Sequence, residues 1–447
     1  MAVIELDLDA PPASAASRPP ARRVRPLGLT LAALLTLVLT GAVPAAPLLW
    51  QPLGVIPLND PDGSFLLDGD RVYTVATGPG DNRLVTAWDA DGLTRTWSTG
   101  IPAEQPAPGV VASGVSLSVA GDAVQLTGSA YATTMIDAGT GRVRWTEPAP
   151  VLSTGAGIGI TQETHFRAGT EYDQASGEPG DLYWSATGRP YTEPPRRTTV
   201  YGLDLTTGRR LWAADERGSA LTVPVSGTAG AVLVISADRL ALRDARTGTV
   251  RRQVDFPPAT RPSWVDTAGD LLLVRRGTAN GGALISAYRM ATVEPLWQID
   301  EPPDTGPGGY CVGLPCRPDR YGVAALDPRT GLPQWRTGVN LDLTAWDGGV
   351  VEARGLGGGP TRLLSRATGQ LRAPLHEWNR VVVTAREPLL LTRVAAVGET
   401  SFGVLRPGSE RVQPLGLGPG GASDCAISHR FVACRAAGGV AVWAYRA

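Results

Sequence analysis

The chain has 447 residues, with 41 basic residues against 42 acidic ones and a formal net charge of −1. This balance excludes a general nucleic-acid binder, because no basic field of useful strength is present. Every basic residue is arginine, and together with much alanine, glycine and proline this composition is typical of a high-GC genome of the actinobacterial type.

The first predicted elements are a tail and an apolar segment. Residues 1–26 are rich in proline, alanine and serine and end in RRVRP, which predicts a disordered basic tail. Residues 27–43 carry no charge, and a helix extended to Trp50 is long enough for a bilayer core of about 30 Å. Because arginines precede it, we predict a transmembrane signal-anchor helix over 27–50 with a cytoplasmic N-terminus. The alternative is a cleavable signal peptide, with VPA before Ala46 as the cleavage site.

A turn motif recurs along the rest of the chain. Its complete copies read IDAGTGRVRW, LDLTTGRRLW and LDPRTGLPQW, two degenerate copies end at Trp97 and Trp297, and three fainter ones lack the Trp. Eight copies at intervals of about 40 residues are typical of a repeat architecture. The residues that define the motif are Asp137, Gly141, Trp145, Asp204, Gly208, Trp212, Asp327, Gly331, Trp335, Trp97 and Trp297.

Each copy follows two short apolar or alternating segments, such as RVYTVAT and RLVTAWDA before Trp97. Alternation broken by Gly, Asp and Asn predicts strand, turn and strand. The motif then predicts a turn into a fourth strand, because Asp and Thr side chains bond nearby N–H groups and Gly takes a positive φ. A few strands cannot bury both faces alone, so we interpret the Trp as a wedge between stacked repeats.

These repeats predict an all-β fold, closed by radial repetition into a β-propeller over residues 51–447. We expect eight blades, with seven or nine as the alternatives. The last strands, in HRFVACRAAGGVAVWAY, could complete a blade with LLWQPLG near the N-terminus and so close the ring.

The three complete motifs resemble the tryptophan-docking repeats of the pyrroloquinoline-quinone (PQQ) propellers, over residues 60–447. That superfamily contains quinoprotein alcohol dehydrogenases and BamB-like outer-membrane assembly scaffolds. The resemblance implies the PQQ-like fold. Its dehydrogenases carry a calcium site, a catalytic Asp and an adjacent Cys-Cys pair. This chain has no Cys-Cys dipeptide and no positions that match the other two, so we expect no catalytic residues and no cofactor, with PQQ binding as the alternative.

The four cysteines fall in two close pairs, Cys311 with Cys316 and Cys425 with Cys434. An even number of cysteines in an exported domain predicts two disulfide bonds. The alternative is a four-cysteine metal site, although the spacing typical of zinc knuckles is absent.

Metal and catalytic motifs are otherwise sparse. His165, His376 and His429 share no metal-binding spacing, so we expect no metal site. Acidic turns such as NDPDG offer oxygen ligands for calcium, but short Asp-Gly turns form without metal.

One repeat interval is too long, and the excess lies in residues 161–200. An insertion within a repeat goes to a loop on one face, often the binding face. Exposed aromatic and arginine residues are the usual anchors of an interface, although the aromatic residues could instead pack on the blade. The candidate partner-binding residues are Tyr183, Trp184, Tyr191, Arg196 and Arg197.

From the sequence we therefore expect a single-pass cell-membrane protein with an extracytoplasmic propeller. Its function would be that of a non-catalytic binding or scaffold module, in monomeric form, for an envelope protein or ligand. The alternatives are a PQQ-dependent oxidoreductase and a sensor that signals through its tail.

Overall fold

The computed structural model describes residues 50–58, 60, 63–102, 115–128, 132–165, 181–184, 190–193, 195–225, 230–257, 262–277, 282–301, 310–319, 321–355, 358–384, 387–396 and 398–446. The chain divides into two units, Met1–Leu48 and Leu49–Ala447, and every described residue belongs to the second. The predicted tail and residues 27–49 of the predicted anchor lie outside the described residues. Within the described part, no helix is long and apolar enough to cross a membrane.

The described chain is built from short antiparallel strands, which follow from the alternating segments of the sequence. The first strand is β1 (Trp50–Pro57). Blade 1 contains β2 (Ser64–Asp68), β3 (Arg71–Thr77), β4 (Arg83–Asp89) and β5 (Arg95–Ile101), with a 3-10 turn at Pro79–Asp81. Blade 2 contains β6 (Ser116–Ala120), β7 (Ala123–Thr127), β8 (Thr133–Asp137) and β9 (Val143–Glu147).

Blade 3 carries the predicted insertion as a two-stranded hairpin. Its sheet is β10 (Leu152–Ser153), β11 (Ile158–His165), β14 (Arg197–Asp204) and β15 (Arg210–Arg217), and the hairpin is β12 (Asp181–Trp184) with β13 (Pro190–Glu193). Blade 4 contains β16 (Ala220–Pro224), β17 (Ala231–Ser236), β18 (Arg239–Asp244) and β19 (Val250–Asp255). Blade 5 contains β20 (Pro262–Ala268), β21 (Leu271–Gly277), β22 (Ala283–Arg289) and β23 (Glu294–Glu301).

Blade 6 has three strands and the sheet of blade 7 has five, because the strand that precedes blade 6 in the chain pairs with blade 7. The next strand in the chain is β24 (Cys311–Val312). Blade 6 is a three-stranded sheet of β25 (Cys316–Asp319), β26 (Gly322–Leu326) and β27 (Pro333–Thr337). Blade 7 contains β28 (Leu341–Trp346), β29 (Gly349–Arg354), β30 (Pro360–Ser365) and β31 (Leu371–Pro374), and β24 pairs in parallel with its first strand, β28.

The ring closes through both ends of the described chain. Blade 8 contains β32 (Arg380–Val382), β33 (Leu389–Ala396), β34 (Glu399–Leu405) and β35 (Gln413–Pro419). Blade 9 contains β36 (Ser423–Ile427), β37 (Phe431–Ala436) and β38 (Gly439–Tyr445), and β1 completes it by pairing with β38 from Trp50 opposite Tyr445 to Pro57 opposite Gly439.

The molecule is therefore a β-propeller of nine blades. The all-β propeller prediction is confirmed. The preferred count of eight blades is wrong, because each of the eight turn motifs belongs to one of blades 1–8 and the closing blade carries no copy. Nine was one of the counts that the sequence left open.

The apolar core lies between blades, at interfaces that we call seams. One cluster joins Val124 and Ile136 of blade 2 to Tyr73 and Val85 of blade 1. Among the described residues, clusters that join two blades occur at seven further seams, including the closing one, where Phe431 and Val442 meet residues of blade 1. Because no blade buries both faces alone, the stability of the ring depends on these seams.

Candidate binding face

The turn motif forms a hydrogen-bonded loop between the third and fourth strands of a blade. In blade 2, Asp137 Oδ1 accepts hydrogen bonds from the main-chain N–H of Thr140 (2.8 Å) and Gly139 (3.1 Å). Hydrogen bonds from Arg144 and Thr140 hold the pKa of Asp137 far below its usual value. Gly141 has a φ of 73°, in the left-handed region that favours glycine. In other blades the motif Thr again donates its main-chain N–H to Oδ1 of the motif Asp, namely Asp204, Asp244 and Asp327.

Each motif Trp lies on the turn of the next blade. The ring of Trp145 covers Gly208, where an added Cβ would lie 2.6 Å from Cγ of the Trp. Its Nε1 donates a hydrogen bond to the carbonyl oxygen of Leu205 (2.9 Å). The same contact joins Trp97 to Gly141, Trp212 to Gly248, Trp297 to Gly331 and Trp335 to Gly369.

These Trp side chains are less buried than a wedge at the centre of a seam would be. Trp97 is buried, at 8 % exposure, whereas Trp145, Trp212, Trp297 and Trp335 are only partly buried. One ring face lies on the glycine, and Nε1 reaches the turn at the edge of the seam. The sequence predicts a Trp between repeats, but neither its glycine partner nor this depth.

Two other seams hold different residues at the places of this contact. At the closing seam, Gly54 stands beside a bulge of the outer strand, the place that Trp97 has in blade 1. Its partner on the turn of blade 1 is Leu93, at a φ of 49°. Between blades 4 and 5 the same two places hold Arg252 and Val293, the latter at a φ of 56°.

Several arginine–carboxylate pairs also fasten the seams. Glu216 of blade 3 is 1 % exposed and binds Arg239 and Arg243 of blade 4, with N···O distances of 2.6 and 2.7 Å. Glu147 of blade 2 binds Arg210 of blade 3 at 2.8 Å. Because the Glu216 carboxylate is desolvated and fully paired, this cluster is structural.

The two ends of the blades therefore differ. We call the end that carries the motif turns the turn face. At the other end, which we call the insertion face, lie the connections from second to third strands and those from one blade to the next. In an antiparallel four-stranded blade these two sets of connections must lie at opposite ends. The motif residues are used in packing at the turn face, which leaves the insertion face as the candidate binding face.

Blade 3 places the insertion on this face, because the extra residues join its second and third strands. Strand β11 continues to His165 and β14 begins at Arg197, so residues 161–165 and 197–200 of the predicted loop are blade strands. In the hairpin, Tyr183 pairs with Tyr191 and Trp184 with Pro190. The side chains of Tyr183, Trp184 and Tyr191 lie outside the described residues.

The two arginines of the candidate site lie at the base of the hairpin. Arg197 is exposed and binds Asp215 of the neighbouring strand at 3.2 Å. Arg196 is exposed, and its main-chain N–H donates to the carbonyl oxygen of His165 (2.9 Å). Both arginines thus lie at the insertion face, Arg197 as the first residue of β14 and Arg196 directly before it.

A second group of exposed side chains lies on the same face at blades 6 and 7, and sequence reasoning missed it. Tyr310 is 76 % exposed, Tyr321 61 % and Val339 55 %. Gly322, next to Tyr321, is packed against the main chain of Thr337 and Gly338, which brings Tyr321 close to Val339. Tyr310 is held nearby, because its N–H donates to Asp342 Oδ1 (2.8 Å). The signal in the sequence was the pair of tyrosines beside the CVGLPC loop.

The disulfide prediction is confirmed. Cys311 binds Cys316, and Cys425 binds Cys434. The first bond links β24 to β25, and the second links two strands of the closing blade. The bonded residues are separated by 5 and 9 positions, so neither pair is the adjacent Cys-Cys of the quinoprotein dehydrogenases.

The described residues also hold no group of three or more His, Cys, Asp or Glu side chains that could bind a metal ion.

Comparison with known proteins gives a family match over part of the chain. Residues 46–159 match the PQQ_2 family, described as outer membrane protein assembly factor BamB. This segment contains β1, blades 1 and 2, and the start of blade 3 as far as Gly159 in β11. No curated protein matches the chain.

Three solved structures are similar to the chain at low sequence identity. BamB from Moraxella catarrhalis is 16 % identical, with a TM-score of 0.42, covering 89 % of this chain and 98 % of its own. The computationally designed Ika8 protein is 14 % identical, with a TM-score of 0.46, covering 88 % and 99 %. A europium-containing methanol dehydrogenase is 14 % identical, with a TM-score of 0.36, covering 86 % and 84 %.

Proposed function

We propose that the chain is a membrane-anchored, extracytoplasmic β-propeller that acts, as a monomer, as a non-catalytic binding or scaffold module for an envelope protein. The observation that carries the proposal is the insertion face. This face carries the hairpin inserted between the second and third strands of blade 3. It also carries the exposed side chains of Tyr310, Tyr321 and Val339 at blades 6 and 7. Exposed aromatic residues grouped on one face are typical anchors of a protein interface.

Two observations support a place outside the cytoplasm. Both cysteine pairs form disulfide bonds, which persist in oxidising compartments. The uncharged segment 27–43 behind four arginines suits an anchor that keeps the N-terminus in the cytoplasm. The family match supports the same class of function, because its description names an assembly factor.

The proposal is tested by photocrosslinking in the native envelope. A photoreactive residue at Tyr310 or Tyr321 should crosslink to one envelope protein, and a photoreactive residue at Leu332, exposed at the turn face, is the matched control. Replacing residues 166–196 by a short Gly-Ser turn should weaken the capture of that protein. Equal capture from Leu332, or none from either tyrosine, would contradict the proposal.

A second assay addresses the oxidoreductase alternative. The purified protein is incubated with PQQ and calcium, and dye reduction is followed over a panel of alcohols and sugars. We expect no turnover above that of PQQ alone. Tight PQQ binding with turnover would replace the scaffold function by an enzymatic one.

A further inference from the structure

A cavity of about 400 Å³ lies at the turn face between blades 6 and 7. This volume is typical of a site for a small molecule. Ala325 and Leu326 of β26 belong to its lining and are buried, which gives the cavity an apolar part. Pro328 and Ala367, on the motif turns of the two blades, also line it and are exposed, so the cavity opens to solvent at the turn face.

The loop between the first two cysteines forms another part of the lining. Leu314 and Pro315 of this loop line the cavity. Leu314 is also buried in the apolar cluster that blades 6 and 7 share. The disulfide bond between Cys311 and Cys316 joins the two ends of the loop. A lining that is held in place in this way costs little further order when a ligand binds.

Arg366 supplies a positive charge to the cavity. It directly follows the place of the motif Asp, which is Ser365 in blade 7, and the equivalent residue of the seven other motif turns is uncharged, as at Ala138. Trp335 Nε1 donates to the carbonyl oxygen of Arg366 (2.9 Å), and Arg366 Nη2 donates to the carbonyl oxygen of Gly313 (3.1 Å). A carbonyl oxygen takes one of several guanidinium N–H donors and does not neutralise the charge. The guanidinium is therefore suited to an anionic group of a ligand.

Asp327 supplies the opposite charge from blade 6. Its Oδ1 accepts the main-chain N–H of Arg329 (2.8 Å) and Thr330 (2.9 Å), and these hydrogen bonds hold the pKa of the carboxyl below its usual value. The group is therefore ionised at neutral pH. Its Oδ2 accepts a hydrogen bond from Nε2 of Gln334 (2.8 Å), which also lines the cavity. Asp327 and Arg366 thus place opposite charges on the lining of one cavity.

We propose that this cavity binds a small zwitterionic molecule of the amino-acid class, whose carboxylate binds Arg366 and whose ammonium group binds Asp327. The carbon chain of the ligand contacts the apolar part of the lining, at Leu314 and Ala325. Charge-assisted hydrogen bonds at both ends orient the ligand, and a molecule with one charge satisfies only one of the two groups. The site lies at the turn face and does not rest on the proposed function.

The test is isothermal titration calorimetry of the full-length protein with straight-chain amino acids from glycine to aminohexanoate, in which the separation of the two charges increases step by step. Leucine adds an apolar side chain at the shortest separation. One separation should give the tightest binding, because the positions of Arg366 and Asp327 are fixed. Butyrate and butylamine carry one charge each, and both should bind about ten-fold or more weakly than the best amino acid.

Variants assign the two ends of the ligand. Arg366→Gln and Asp327→Asn should each lower the affinity for the best amino acid about ten-fold or more, because each removes one charge. Arg366→Lys should bind better than Arg366→Gln, because it keeps the charge. Asp204→Asn is the matched control, since Asp204 has the same place in the motif turn of blade 3.

A further variant tests the cavity without altering either charged residue. Ala367→Phe should fill the opening and abolish binding, and it should melt like the parent because Ala367 is exposed. The inference is overturned if no amino acid binds, or if butyrate binds as tightly as the best amino acid. Binding that survives Ala367→Phe or Arg366→Gln unchanged would overturn it as well.

Discussion

Gly54 and Leu93 meet at the closing seam with their sizes reversed relative to the Trp-on-Gly contact of other seams. An added Cβ on Gly54 would lie 2.8 Å from Cδ1 of Leu93, and Gly54 has a φ of 142°. The large side chain now belongs to the turn and the glycine to the outer strand. The seam keeps a close contact although neither residue type of the motif is in its usual place.

Gly54→Ala should therefore destabilise the ring. We expect a loss of about 1–3 kcal/mol in the free energy of unfolding, from overpacking and backbone strain together. Gly69→Ala is the control, because Gly69 also has a positive φ but no neighbouring atoms within 4 Å of an added Cβ. Urea unfolding of both variants measures the difference. Equal losses would show that Leu93 does not press on Gly54.

Removing a docking Trp should weaken one seam. Trp145→Ala should cost about 2–4 kcal/mol, the lower part of the range for aromatic truncations, because the side chain is only partly buried. Trp145→Phe keeps the ring on Gly208 and should lose about 1 kcal/mol with the hydrogen bond to Leu205. Chemical denaturation ranks the two variants. If Trp145→Ala unfolds like the parent, the contact does not stabilise the seam.

The stability that the carboxylate of Asp244 contributes in its turn should be lost at acid pH. The Arg251 hydrogen bond, with those from Thr247 and Arg246, lowers the pKa of Asp244 from 3.8 to about 2. A lowered folded-state pKa stabilises the protein above the unfolded-state value, and this contribution is lost as the pH falls through the folded value. Asp244→Asn should thus be destabilising at pH 6 and nearly neutral at pH 2. A difference that does not shrink with acid would contradict this assignment.

The two disulfide bonds should differ in their reaction with reductant. In one bond Cys434 is fully buried and Cys425 partly exposed, whereas both cysteines of the other bond, Cys311 and Cys316, are partly exposed. Thiolate attack requires access to a sulfur atom, so limiting reductant under native conditions should open Cys311–Cys316 first. Alkylation followed by mass spectrometry reads the order. Earlier labelling of Cys425 and Cys434 would be the contrary result.

Shortening the blade 3 insertion should leave the ring intact. Replacing residues 166–196 by a Gly-Ser turn joins His165 to Arg197, which already face each other in the β11–β14 ladder. Since surface-loop length changes stability only weakly, the melting temperature should stay nearly the same. A large drop would mean that the hairpin supports a blade.

The sequence was informative wherever the motif was complete. Asp137 and Gly141 belong to a local turn, and local turn chemistry is visible in a short window. The closing blade carries no turn motif, because its third and fourth strands, β38 and β1, come from opposite ends of the described chain, so the ninth blade was undercounted. Trp50, read as the end of an apolar helix, begins β1 and stacks on Phe402 and Trp443, with ring centroids 5.0 and 5.2 Å apart.

The candidate site was predictable only in part. An insertion in blade 3 follows from the long repeat interval, and its place on one face follows from strand connectivity. The three-stranded sheet of blade 6 could not be predicted, because the pairing of β24 with β28 depends on tertiary contacts. Short apolar segments such as CVGLPC do not specify which neighbour they pair with.

The pairing of β1 with β38 also sets an order on synthesis. A chain made from its N-terminus can complete blades 1 to 8 one after another, each by local hairpins. Strand β1 must wait, since its partner residues 439–445 emerge last. Until then its edge is exposed to solvent and to other nascent chains, so a newly made chain is vulnerable to aggregation for a period that a holdase chaperone would shorten.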